Sequence, residues 1–253
     1  MIALVTPTGA RPGQFSICAK LMKKQTYAGK VLWVIVDDAA PVTTDCVTAD
    51  FREGWEIVRL YPKPLWSPGQ NTQSRNMRVG VTEALKNPEV TTVFIIEDDD
   101  YYKSIYLDEM VKRMGKYWAI GETNTIYYNV NSRTVAHNNN YKHSSLFQTA
   151  FTRDALPYMI KSYDNRFIDA EFWAKMPKDK ILLFSADNLS VGIKGMPGRG
   201  GIGAGHKANK GWPTDRGLHY LTKLIGHEDT KLYAGYYLDN RLVQHDILTK
   251  KRY

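Results

Sequence analysis

Apolar residues in the first part of the chain fall into short continuous runs separated by stretches with helical spacing. Ile2-Ala3-Leu4-Val5 is the first run, the pattern of a strand covered on both faces, and turn residues from Thr6 to Gly13 follow it. Gln14 to Gln25 reads as a helix, with Phe15, Cys18 and Met22 on one stripe and Ile17 and Leu21 beside it. Val31 to Val36 is a second buried strand that ends in Asp37-Asp38. Two near-continuous apolar strands joined through a helix predict a parallel sheet with a right-handed crossover. A third strand is expected at Glu56 to Leu60, then a loop from Tyr61 to Gln70, then a helix from Ser74 to Leu85. Val93-Phe94-Ile95-Ile96 is a fourth buried strand and runs straight into Glu97-Asp98-Asp99-Asp100. A helix from Ile105 to Met114 closes this half, with Leu107, Met110, Val111 and Met114 at helical spacing.

The pattern then changes. Thr125 to Val130 and Thr134 to His137 flank Asn131-Ser132-Arg133 as a hairpin would. Leu146 to Phe151 is a strand candidate, Asp154 to Ser162 and Ile168 to Met176 are helix candidates, and Ile181 to Phe184 is a short strand. The stretch Gly192 to His206 is expected to be a loop, because six glycines and a proline fall between Gly195 and Gly205. No internal repeat or linker interrupts the chain. The predicted architecture is a single α/β domain: residues 1–115 form a nucleotide-binding half, and residues 116–253, with a basic Gly-rich loop at 192–207, supply another site.

Composition narrows this picture. Hydrophobic residues are 43% and charged residues 24% of 253, which excludes disorder as the main state. No run of about 18 apolar residues occurs, so no membrane span is predicted. The opening MIALVTPTGARPGQ has neither the basic leader nor the apolar core of a signal peptide. Cys18 and Cys46 are too few for a disulfide framework and lack zinc spacing, so a reducing, cytoplasmic setting is expected. The net charge is +8, and Val191 to Tyr253 holds 11 Lys and Arg against 5 Asp and Glu. Such a balance suits an anionic partner (a nucleotide, a nucleic acid or an acidic glycan), or a basic surface with no polyanion on it.

The acidic run Glu97 to Asp100 is the strongest chemical signal. Adjacent carboxyl groups at the end of a buried strand repel one another unless a cation or solvent compensates. Oxygen donors suit Mg²⁺ or Mn²⁺, which are often held by one or two carboxylates together with substrate phosphates. A solvated acidic turn is the alternative reading. A P-loop motif and a GxSxG nucleophile elbow are both missing from the sequence.

Taken in order, VTPTGARP, VIVDDA, SRNMRVG and FIIEDDDYY resemble the GT-A-fold nucleotide-sugar glycosyltransferases, in particular the family-2-like enzymes, over roughly residues 1–115. That family shows a strand ending in a Pro-Thr turn, a second strand ending in acids, an Arg-Asn-x-Gly helix start and a DxD-type metal motif. The helix start here departs from it, with two extra residues before the glycine. The resemblance implies a Rossmann-like, mostly parallel central sheet flanked by helices, a UDP-sugar as donor and Mn²⁺ or Mg²⁺ as cofactor. It implies that Thr6, Pro7, Thr8 and Arg11 border the nucleotide. Asp37 and Asp38 would meet the base or ribose, and Arg75 the base or phosphates. Asp99 would be the metal carboxylate and Asp100 a further ligand, with Glu97 and Asp98 at the ribose or metal-bound water. His206 would complete the metal site, and Lys194 and Arg199 would flank a loop closing on the diphosphate. In Phe167 to Trp173, Asp169 is implied as the base that deprotonates the acceptor hydroxyl, as in inverting members, with Glu171 as the alternative. The same stretch also reads as an amphipathic helix with solvated acids.

For the acceptor, the basic C-terminal quarter and the aromatic pairs Tyr101-Tyr102, Tyr127-Tyr128, Phe172-Trp173 and Tyr236-Tyr237 suit DNA with an extruded base. In this the chain resembles bacteriophage enzymes that transfer a hexose or pentose to hydroxymethylated pyrimidines in duplex DNA, which would act in the host cytoplasm. The same aromatics also suit sugar rings or a core. A glycan or small-molecule acceptor, a sugar nucleotidyltransferase and a non-catalytic DNA-binding protein are the competing readings.

Overall fold

The computed structural model describes residues 1–138, 140–185, 188–199 and 211–233. Every residue of β1 (Ile2–Thr8) and β2 (Val31–Asp37) is buried, as central strands covered on both faces must be. β1 pairs in parallel with β2 on one side and with β4 (Thr92–Ile95) on the other, and β3 (Trp55–Leu60) extends the sheet beyond β2. Helix α1 (Pro12–Lys23) carries the chain from β1 to β2, and α2 (Gln73–Ala84) returns it from β3 to β4. The strand order therefore reverses at β1, and a crevice opens between the carboxyl ends of β1 and β4.

Beyond β4 the same sheet continues through β9 (Thr149–Thr152), β6 (Ala119–Glu122) and β10 (Ile181–Phe184), in the order β10-β6-β9-β4-β1-β2-β3. Only β9 runs antiparallel to its neighbours. A second sheet has the order β5-β11-β7-β8, built from β5 (Tyr101–Tyr102), β11 (Ser190–Lys194), β7 (Ile126–Asn129) and β8 (Thr134–His137). Alternation along the strands divides the core into two layers. Ile2, Leu4, Trp33, Ile35 and Phe94 pack with Phe15, Cys18 and Met22 of α1 and with Leu107 and Met110 of α3 (Tyr106–Met114). Ala3, Val5, Leu32, Val34 and Ile95 pack with Met77 and Val81 of α2, Met159 of α4 (Leu156–Ser162) and Phe172 and Trp173 of α5 (Ile168–Lys175). A mostly parallel sheet flanked by helices on both faces is the α/β class expected from the sequence.

Several boundaries differ from expectation for identifiable reasons. Helix α1 starts at Pro12, where a missing N–H costs nothing. The expected strand at Leu146 begins with a 3-10 turn, Leu146–Gln148, and becomes strand only at Thr149. Gly192 to Lys194, expected to be loop, belong to buried strand β11. Gly192 serves close packing there, since a Cβ would lie 2.7 Å from Cε1 of Tyr127. The turn starts at Gly195, whose φ of +76° favours glycine. Strand β6 escapes the hydrophobic pattern because it is four residues long and contains Gly121, which sits beneath the Trp173 ring. Helix α6 (His219–Ile225) was also not expected.

One glycine of the RNMRVG motif has a purely structural explanation. A Cβ on Gly80 would lie 2.5 Å from Cγ1 of Val5 and 2.9 Å from Cγ2 of Val36, so α2 rests its backbone directly on β1 and β2. Gly80→Ala is expected to lower stability by about 1–3 kcal/mol through overpacking, although alanine is the better helix former by about 1 kcal/mol. The urea midpoint measures this, and an unchanged or raised midpoint would mean that α2 can lift off the sheet at little cost.

Candidate active site

A pocket occupies the crevice at the carboxyl ends of β1 and β4. Pro7, Thr8 and Arg11 form one wall with Gln70, Asn71, Gln73 and Asn76 at the start of α2. Glu97, Asp98, Asp99 and Lys194 form the floor, and Arg199 closes one side. Tyr127, Ser145, Phe147, Arg166, Phe167 and Asp169 complete the lining.

The acidic floor is paired with cations of the chain itself. Thr8 Oγ1 donates to Asp98 Oδ2 at 2.5 Å, and Arg11 reaches Asp98 at 2.9 Å and also Asp99. Asp100 Oδ1 accepts from the Ile193 N–H at 2.8 Å and from Lys194 Nζ at 3.0 Å. Gln73 donates to Glu97. Burial pushes the Asp98 carboxyl up to about 6 against the pull of Arg11, and the neighbouring Asp99 adds to the rise. Burial also raises Glu97 and Asp100, opposed in both by Lys194. Burial disfavours the charge on Arg11 and Lys194, yet the surrounding carboxylates hold both above their usual range.

Four carboxylates thus face two close cations. Asp100 Oδ2 is buried and meets no hydrogen-bond donor. Glu97, Asp99 and Asp100 each offer an oxygen, and these oxygens lie within 4.8 Å of one another. An all-oxygen donor set with an orphaned buried carboxylate oxygen fits a hard divalent cation. His206, the further ligand implied by the sequence, lies outside the described residues, as do all of residues 200–210 and 234–253.

Other implied residues act one layer away from the pocket. Thr6 is buried and accepts from Trp33 Nε1 at 2.9 Å. Asp37 closes the following turn, accepting from the N–H groups of Ala39 at 3.0 Å and Thr43 at 2.8 Å. Asp38 is a buried hub: it accepts from Thr72, Arg75 at 2.9 Å, Asn76 at 2.8 Å and Arg199 at 2.7 Å. Arg75 also donates to the Pro64 carbonyl at 2.6 Å and does not line the pocket. Arg199 lies 4.8 Å above the Trp66 ring, and Gln14 donates to the Pro197 carbonyl at 2.6 Å. The segment after β11 is therefore tied across the crevice to the first half of the sheet.

The two acids of α5 separate. Asp169 lines the pocket from the first turn, and burial raises its carboxyl. Glu171 does not line the pocket; it pairs with Lys175 one turn along at 2.5 Å, because residues two apart do not share a helix face. The aromatic pairs are also redistributed. Tyr101, Tyr102, Tyr128, Phe172 and Trp173 are core residues. Tyr127 alone among the described members of those pairs lines the pocket, and Tyr236-Tyr237 lie outside the described residues. The sequence reading misses Phe167, which is 53% exposed at the pocket wall with the Arg166 guanidinium 5.4 Å from its ring centroid. It also misses Gln73, Asn76 and Ser145, polar residues that carry no motif of their own.

No family model and no curated protein matches this chain in sequence. In structure it is similar to S. aureus TarS. Against TarS 1-349 in complex with UDP the TM-score is 0.54 at 14% identity, covering 76% of this chain and 60% of that one. Against TarS 1-349 in complex with UDP-GlcNAc it is 0.50 at 14% identity, covering 76% and 58%. Against TarS 1-349 alone it is 0.52 at 13% identity, covering 73% and 58%. The chain thus spans less than two thirds of the solved chains it resembles, and at this identity the likeness shows a shared fold alone. Among the described residues no helix is long and apolar enough to cross a membrane.

Proposed function

We propose that this chain transfers a sugar from a UDP-sugar to an acceptor hydroxyl, with a divalent cation on the Glu97, Asp99 and Asp100 floor and Asp169 as the base. The observation that carries this reading is that two separate acidic groups line one pocket. A cation-ready cluster lies at the carboxyl ends of β1 and β4, and a further carboxylate with a raised pKa, on α5, lines the same pocket. The TarS complexes with UDP and UDP-GlcNAc support the choice of donor.

Pro7, Thr8, Asn71 and Asn76 border the nucleotide, and Arg11, Lys194 and Arg199 face the diphosphate. The cation supplies Lewis-acid stabilisation of the charge that develops on the departing diphosphate. Asp169 takes the proton from the acceptor hydroxyl as it attacks, and its raised pKa makes it a better proton acceptor than an ordinary carboxylate. Inversion of the anomeric centre belongs to the same reading, by the resemblance to inverting enzymes in which a carboxylate is the base. As acceptor we favour a hydroxymethylated pyrimidine in DNA. The net charge of +8 supports it. So does the exposed Phe167 with its stacked Arg166, a surface for an extruded base beside a cation for the adjoining phosphate. The buried aromatic pairs lend it no support. A cytoplasmic setting belongs to the same reading, supported by Cys18 and Cys46 being unpaired.

Thermal melting with UDP, GDP, CDP or dTDP, each with and without Mn²⁺, tests the donor site. Stabilisation is expected from UDP and to depend on Mn²⁺; no shift with any pair would remove the donor assignment. Label from a UDP-sugar should then appear on a duplex oligonucleotide carrying hydroxymethylcytosine and not on its unmodified twin. Transfer to glycans alone would overturn the DNA acceptor.

A further inference from the structure

Lys194 has no place in the sequence pattern beyond a basic residue near the diphosphate, yet its position in the fold is specific. It ends β11, its side chain is 6% exposed, and its Nζ lies 3.0 Å from Asp100 Oδ1. The Ile193 N–H satisfies the same oxygen at 2.8 Å. Asp100 Oδ2, by contrast, is buried without a donor, and Asp100 is one of the three carboxylates whose oxygens cluster within 4.8 Å. One carboxylate therefore serves both the lysine and the candidate cation site. An ammonium and a divalent cation on one buried carboxylate repel strongly, because little solvent screens them. The amine also has somewhere else to go. It lines the pocket, and it already lies 5.5 Å from the Tyr127 ring centroid and 5.6 Å from that of Phe147, faces that attract a cation.

We infer that Lys194 is a built-in counter-cation that holds Asp100 until a divalent cation displaces it, and that the freed ammonium then binds the donor's diphosphate. The inference rests on the metal-assisted reading above. Its consequence is coupling. The cation alone has to break the Lys194–Asp100 pair and leaves the amine only the ring faces it already touches. With UDP present, the diphosphate is that partner. Metal and nucleotide therefore bind cooperatively, each strengthening the other by the same factor.

Calorimetric titration of Mn²⁺ into the protein, with and without UDP, tests this. In the parent, UDP should tighten Mn²⁺ binding by about 5- to 150-fold, the usual span of such couplings. In Lys194→Met, Mn²⁺ without UDP should bind about tenfold tighter or more than in the parent, and UDP should tighten it little further. Lys194→Arg, which keeps the charge, should behave like the parent. Since Lys194→Met leaves Asp100 unpaired, its melting temperature should rise more on adding Mn²⁺ than the parent's does, so that even a poorly stable variant gives a readout. Equal or weaker Mn²⁺ binding by Lys194→Met, with coupling intact, would overturn the inference and leave the metal reading standing. No Mn²⁺ binding by the parent in the presence of UDP would overturn both.

Discussion

Asp99→Ala is expected to lower transfer by about a thousandfold or more and to abolish the dependence of UDP binding on Mn²⁺. The size follows from what is removed. A Lewis acid on a departing diphosphate contributes several kcal/mol, and each ~1.4 kcal/mol is a factor of ten in rate. Asp99 offers one of the three clustered oxygens, and its neighbours do not replace it. Asp98 is engaged by Thr8 and Arg11, and Asp100 by Lys194 and the Ile193 N–H. The fold should tolerate the change. Arg11 keeps Asp98 as a partner, and the repulsion Asp99 exerts on Glu97, Asp98 and Asp100 is relieved. Melting of the variant close to the parent's, together with lost metal dependence, is the expected pair of results. Retained transfer at parental rates would move the metal off this floor. Transfer that survives but no longer responds to Mn²⁺ would point to Arg11 and Lys194 as sufficient counter-charges.

The parts of this site that are legible in the sequence are those set by local rules. Buried parallel strands read as continuous apolar runs, so the strand ends at Asp37 and Glu97 can be placed without a structure. Ligands bind at such ends in open α/β sheets, and four ordered motifs then suffice to suggest the family. What is not legible is pairing between distant segments. Lys194 meets Asp100 across 94 positions, and Arg199 meets Asp38 across 161. No periodicity encodes which cation lands on which carboxylate. The same limit explains the reassignment of Asp37, Asp38 and Arg75. An acid at a strand end looks the same in sequence whether it faces a ligand or, like Asp38, gathers the hydrogen bonds that fix the start of α2. The aromatic pairs fail for a related reason. Adjacent aromatics near the ends of short strands and helices suggest a surface platform, but Tyr102 stacks edge-on against Tyr106 inside the core. Phe167, a lone aromatic before a helix, carries no such signal and is both exposed and part of the pocket lining.

The α5 acids turn that limit into a decisive experiment. Asp169→Asn is expected to reduce turnover by about 10²–10⁴-fold, the usual contribution of a positioned general base, while leaving UDP and Mn²⁺ binding unchanged. The amide keeps the size and the contact with the Ala170 N–H, which lies 2.9 Å from Asp169 Oδ1, so the loss isolates the proton-accepting role. Glu171→Gln should have little effect, because Glu171 is occupied with Lys175 and lies off the pocket. The pH profile sharpens the comparison. Burial raises the Asp169 carboxyl above its ordinary value of 3.8, opposed by the Ala170 N–H and by His143. A base acts only when ionised, so turnover should fall as pH drops through an apparent pKa above 3.8 and should level off above it. In Asp169→Asn most of the rate should go, and any acid limb that is left should belong to the floor carboxylates, which burial also raises, Asp98 to about 6. The two carboxylates differ in which face of α5 they occupy, and the expected results differ accordingly. A variant of Asp169 that turns over like the parent, with Glu171→Gln losing the rate instead, would overturn the base assignment: residues two apart lie about 200° from one another around a helix, so α5 as placed presents only one of the two acids to the pocket.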